Sequence, residues 1–185
     1  MIGDSITHWW DKAGKKVWGQ YYANRDAVNL AISGDRTEHV LWRLENGNID
    51  GISPKLAVLM IGTNNHMSSP PKVTARDIRL IVKQLRTKLP KTKVLVLAVF
   101  PRGGGDDDGA RRINMTVNEL IADLGDGKMV YYLNINEAFL DGRRLRHNLI
   151  PDGTHPNEKG YAAWAEAMEP TLAKLLGEEP IIPGD

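Results

Sequence analysis

Apolar and polar positions alternate along the chain in two rhythms. Short apolar runs cover residues 27–32, 56–61, 93–100 and 129–133, and each reads as a buried strand. Between them the apolar positions recur at helical spacing. Val40, Leu41 and Leu44 mark a helix from Thr37 to Glu45 that stops at Asn46-Gly47. Ile78, Ile81, Val82, Leu85 and Leu89 mark an amphipathic helix over 73–89, ended by Pro90. A further helix is predicted over 111–124. A last one spans 157–176, with Tyr161, Trp164, Met168, Leu172 and Leu175 on its inner face. Residues 8–23, rich in Trp and Tyr, read as a glycine-interrupted helical region.

Strands that alternate with helices predict a three-layer α/β/α fold around a parallel sheet. No repeat or linker divides the chain, so residues 1–176 form one domain and 177–185 a flexible tail. The first strand is the exception. Only Met1 and Ile2 precede Gly3-Asp4-Ser5, so that strand is expected to be truncated, leaving residues 27–32 and 56–61 with unpaired backbone on either side of it. On that expectation the sequence is an N-terminal truncation of a longer chain.

Composition narrows the function. At 185 residues with a net charge of +1, nothing favours nucleic acid or an anionic surface. No apolar run approaches the length of a membrane span. The absence of cysteine removes disulfides, thiolate metal sites and a cysteine nucleophile together. Asp106-Asp107-Asp108 lacks the spacing of an oxygen-ligand loop and reads as a solvated acidic stretch. Arg143, Arg144 and Arg146 form a small basic cluster, read as a solvated face or as a rim for an anionic or sugar substrate. Exported and cytoplasmic locations both stay open, as does a homodimer.

The chemistry gathers where strands give way to helices. Asp152-Gly153-Thr154-His155-Pro156 sets a carboxylate and an imidazole three residues apart on a tight turn, the orienter and base of a nucleophilic triad. Ser5 supplies the hydroxyl. The Gly34 N–H and the Asn64 side chain, each after an apolar run, supply candidate oxyanion donors with the Ser5 N–H. Trp9 and Trp10 follow the serine closely, and one of them is placed to wall a substrate pocket; His66 stands in the Asn64 loop. Two other classes remain: a non-catalytic binding module of the same fold, and a flavin or nucleotide binder, for which no phosphate loop is present.

These blocks resemble the SGNH, or GDSL-type, hydrolases. Gly3-Asp4-Ser5 matches the first block, with Ile6 in place of leucine. Gly34 matches the second, Gly62-Thr63-Asn64-Asn65 the third, and Asp152-Gly153-Thr154-His155-Pro156 the last. Asn65 stands where the family often has aspartate. Residues 39–47, Gly62 to His66 and Pro101-Arg102-Gly103 resemble the catalytic subunits of platelet-activating-factor acetylhydrolases, and the ending resembles bacterial carbohydrate acetylesterases. The resemblance implies a flavodoxin-like sheet, no metal or cofactor, and hydrolysis of short acyl esters, acetyl above all, of a small-molecule or carbohydrate alcohol. It implies Ser5, His155 and Asp152 as catalytic residues, Ser5, Gly34 and Asn64 as the oxyanion hole, and Trp9, His66 and Arg102 as substrate-binding residues.

Overall fold

The computed structural model describes residues 1–105 and 107–182. Asp106, the first of the three consecutive aspartates, and residues 183–185 of the tail lie outside them. The chain begins with β1 (Ile2–Gly3), α1 (Ser5–His8), α2 (Lys15–Tyr21) and α3 (Thr37–Glu45). Next come β2 (Leu56–Met60), α4 (Pro71–Lys88), β3 (Lys93–Leu97), α5 (Gly109–Ile121) and β4 (Val130–Leu133). A small antiparallel hairpin, β5 (Leu140–Asp141) and β6 (Arg144–Leu145), precedes the long closing helix α6 (Glu158–Leu176).

The central sheet is parallel, in the order β1-β2-β3-β4. Its strands are apolar on both faces because helices cover both. Successive residues divide between two cores. Val58, Met60, Leu95 and Leu97 pack with Trp10, Tyr161, Trp164 and Met168 on the α2/α6 side. Leu59, Ile61, Val94 and Val96 pack with Val40, Ile78, Leu85 and Ile121 on the side of α3, α4 and α5. This period-two division is what a sheet buried between two helical layers requires. Asn157 caps α6, its side chain accepting from the Gly160 N–H, and Gly177 ends the helix.

One predicted strand is absent. Residues 27–32 form no ladder, and Val28 and Ile32 are 61% and 47% exposed. The segment runs beside β1 as a strap, touching it through Leu30 N–H to Met1 O at 2.8 Å and Ile32 N–H to Gly3 O at 3.3 Å. On the edge turned away from β1, Asn29 Oδ1 takes the Ala31 N–H at 3.2 Å and its Nδ2 donates to Thr7 O and His8 O, so a local side-chain turn occupies that edge.

The first strand is as short as the sequence implies. Ile2 and Gly3 pair with Leu59 and Met60, so residues 56–58 have no β1 partner opposite them. An apolar groove of about 720 Å³ opens at that place, lined by Leu30, Ile49, Leu56, Leu89, Leu172 and Leu176 among others. The tail turns away beside α6. Glu178 pairs with Arg25, and the Ile181 N–H donates to Glu169.

Candidate active site

Ser5 opens α1 directly after β1. Asp4 caps this helix, its Oδ1 accepting the Ile6 N–H at 3.0 Å. Gly3 makes the turn possible, since a Cβ there would lie 2.2 Å from Thr7 Oγ1 and 2.4 Å from Met60 O. The partner imidazole comes from the far end of the chain. Ser5 Oγ lies 2.8 Å from His155 Nε2, and His155 Nδ1 lies 2.7 Å from Asp152 Oδ2. The neutral tautomer that satisfies both bonds carries its proton on Nδ1, leaving Nε2 to accept from the serine hydroxyl.

The Asp152 turn is built locally. Asp152 Oδ1 accepts the N–H groups of Thr154 and His155 at 2.8 and 2.6 Å, and Gly153 supplies the left-handed backbone at φ +77°. The Gly103 N–H donates to Gly153 O and ties the turn to the loop after β3. Partial burial pushes the Asp152 carboxyl up. Bonds from the His155 N–H, the His155 ring and the Thr154 N–H outweigh that, so its pKa falls below the ordinary carboxylate value. A carboxylate that stays ionised holds the ring and stabilises it once charged.

Trp9 lies beside the base. Its ring stacks on His155, with centroids 4.2 Å apart and planes 17° from parallel, and Lys12 Nζ lies 5.4 Å from its centroid. One face of the base is thereby fixed by packing.

Gly34 lies on the strap, exposed, at φ +85°. Asn64 Nδ2 donates to Asp35 O at 2.9 Å, so the Asn64 side chain and the glycine are brought together. An amide nitrogen carries two hydrogens, and one bond to Asp35 O leaves a second donor. His66 and Arg102 both converge on Thr63, one residue before Asn64. His66 Nδ1 lies 2.7 Å from Thr63 O, and Arg102 Nη1 donates to Thr63 O and Oγ1. Both therefore brace the Asn64 loop. Arg146 of the basic cluster donates to Ala138 O.

Two residues without a role in the sequence reading emerge here. Asn65 is fully buried and holds the start of α3, its Oδ1 accepting the Thr37 N–H at 3.1 Å. His8, three residues after Ser5 on α1, holds Ser33: its Nδ1 lies 3.1 Å from Ser33 N and 2.9 Å from Ser33 Oγ. The i, i+3 spacing from the serine was the one available signal for His8. For Asn65 there was only its deviation from the aspartate of the resembling family.

The arrangement can abstract a hydroxyl proton, attack a carbonyl carbon and place N–H donors nearby. Known proteins are similar to this chain in sequence and in fold. The sequence profile of the GDSL-like lipase/acylhydrolase family matches residues 1–163. The platelet-activating factor acetylhydrolase IB subunit alpha1 of Homo sapiens is 34% identical over 182 residues, covering 97% of this chain and 77% of its own length. The alpha2 subunit of Mus musculus is 34% identical over 183 residues, covering 97% and 78%. Among solved structures, a GDSL-like lipase from Bacteroides thetaiotaomicron superposes with a TM-score of 0.76 at 19% identity, covering 94% of this chain and 86% of that one. A variant of an acetylxylan esterase from Geobacillus stearothermophilus gives 0.72 at 18% identity, covering 99% and 95%. At such identities the superpositions speak for the fold, while the profile and the 34% relatives speak for ancestry. By that profile and those relatives, the chain belongs to the GDSL-like lipase/acylhydrolase family.

Proposed function

We propose that this protein is a serine carboxylic ester hydrolase that removes short acyl groups, acetyl in particular, through an acyl-enzyme at Ser5. The observation that carries the reading is the unbroken chain from Ser5 Oγ through His155 to Asp152, at 2.8 and 2.7 Å. His155 Nε2 takes the hydroxyl proton as Oγ attacks the ester carbonyl. Asp152 orients the ring and offsets its charge, while Trp9 limits its rotation. The N–H groups of Ser5 and Gly34 and the second N–H of Asn64 receive the negative oxygen of the tetrahedral intermediate. His155 returns the proton to the departing alcohol, and a water activated by the same nitrogen releases the acid. The His66 imidazole and the Arg102 guanidinium, beside the Asn64 loop, are the polar groups we assign to the alcohol side.

Acetyl specificity draws its support from the acetylhydrolase relatives. The test is turnover of 4-nitrophenyl acetate, butyrate and octanoate by the native protein and by Ser5→Ala, with mass spectrometry of a fluorophosphonate-treated sample. Acetate is expected as the best substrate, with a single adduct on Ser5. Ser5→Ala is expected to lose activity by on the order of 10³-fold or more while folded. Near-native turnover in that variant, or an adduct on another residue, would overturn the assignment.

A further inference from the structure

The strap that carries Gly34 touches β1 through the Leu30 and Ile32 N–H groups, but Ser33, Gly34 and Asp35 lie beyond those bonds and are held to the rest of the site by side chains. Downstream of Gly34 the holdfasts are several. Asn64 Nδ2 binds Asp35 O, and Arg43 Nε and Nη2 grip Asp35 Oδ2 at 3.0 and 2.6 Å. Further upstream, Arg43 Nη1 donates to Leu30 O. Directly upstream of Gly34 the side-chain holdfast is His8, whose Nδ1 accepts the Ser33 N–H at 3.1 Å and lies 2.9 Å from Ser33 Oγ. A backbone N–H can only donate, so Nδ1 is the unprotonated nitrogen of this ring.

His8 and Ser5 lie on the same turn of α1, three residues apart. The imidazole thus spans two parts of the site that reach it by separate routes: the nucleophile on α1 and the glycine on the strap. Reacting groups have to be held within about half an ångström to act together. We propose that His8 is a positioning residue: from the helix that bears Ser5, its Nδ1 fixes the Ser33 end of the strap and so aims the Gly34 N–H at the reacting carbonyl. The proposal rests on the reading of Gly34 as an oxyanion donor. It assigns His8 no contact with substrate.

The position of the accepting nitrogen selects the variants. Asparagine can place an oxygen where Nδ1 stands, and leucine fills similar space without an acceptor. His8→Leu is expected to lower kcat for 4-nitrophenyl acetate by roughly 10- to 100-fold with KM changed less than about threefold, because an oxyanion contact is made mainly in the transition state. His8→Asn is expected to regain most of that loss. Amide hydrogen exchange supplies a readout independent of turnover. The Ser33 amide, which donates to Nδ1, should exchange faster in His8→Leu, and near the native rate in His8→Asn. Unchanged exchange in His8→Leu would overturn the clamp. Faster exchange with native kcat would overturn its catalytic consequence. A loss shared equally by the leucine and asparagine variants would overturn the role of the Nδ1 acceptor. Should the native protein cleave no ester, the hydrolase reading fails by itself, and exchange at the strap alone decides the clamp.

Discussion

Asp4 is fully buried, and only one of its carboxylate oxygens has a hydrogen-bond partner among the described residues. Burial pushes its pKa from 3.8 up to about 7; the Ile6 N–H opposes the shift, Asp35 adds to it and Arg102 opposes it. A carboxyl whose folded pKa is raised binds more protons folded than unfolded. Its contribution to stability is therefore unpenalised near pH 4, falls as pH rises to about 7, and stays low above that. At ~1.4 kcal/mol per pKa unit the full effect is of the order of a few kcal/mol. Asp4→Asn keeps the cap and removes the titration. Urea unfolding of both proteins at pH 4.5, 6 and 8 should show the variant gaining on the native protein as pH rises. A difference constant with pH would refute this. At the same scale, the Asp152 turn and Ser5 were legible because each is set by its immediate neighbours. The stacking of Trp9 on His155 was not, because it joins positions 146 residues apart in sequence.

Among the elements, the helices and the three longer strands follow the hydrophobic pattern closely, as α3 and α4 show. The pattern failed at residues 27–32. An apolar run shows that a segment touches a core; it does not show whether the backbone pairs. There the few backbone bonds to β1 do not extend into a ladder, and Asn29 takes the Ala31 N–H on the other edge. Polar residues between elements carry similar weight at α3. Asn65 accepts from Thr37 N, and its Nδ2 donates to Thr37 Oγ1 at 3.0 Å and Glu38 Oε2 at 3.3 Å. Thr37 Oγ1 already donates to Asp77 Oδ2. Asn65→Asp would set an acceptor against these acceptors. It is expected to destabilise the protein by about 1–3 kcal/mol at pH 7, and less at pH 4, where the new carboxyl is protonated. Equal or greater stability in thermal unfolding at pH 7 would show that the donor side of Asn65 is dispensable.

At the level of the whole molecule, the two cores meet at the groove beside residues 56–58. Burial there lowers the pKa of the Met1 α-amine from 8.0 to about 6. A base lowered on folding costs stability below its folded pKa, and the cost vanishes as pH rises to 8. Four or five β-branched residues joined ahead of Met1 would replace the charged amine with a peptide bond, fill apolar space and give residues 56–58 a pairing edge. The expected result is a rise in Tm of several degrees, since about 1 kcal/mol corresponds to 2–4 °C at this chain length. The rise should be larger at pH 6 than at pH 8. An unchanged or lower Tm would show that the groove does not accept a strand.

The span between Ser5 and His155 has a consequence for how the protein comes into being. On the proposed reading, Ser5 leaves the ribosome about 150 residues before the histidine that serves it. A nascent chain that has not yet released the Asp152 turn holds a serine with no proton acceptor. On that reading, ester hydrolysis waits until the segment that bears His155 has been made. Turnover becomes a built-in reporter of completed folding: a chain severed in the loop after β3 would stay dark until its two pieces found each other.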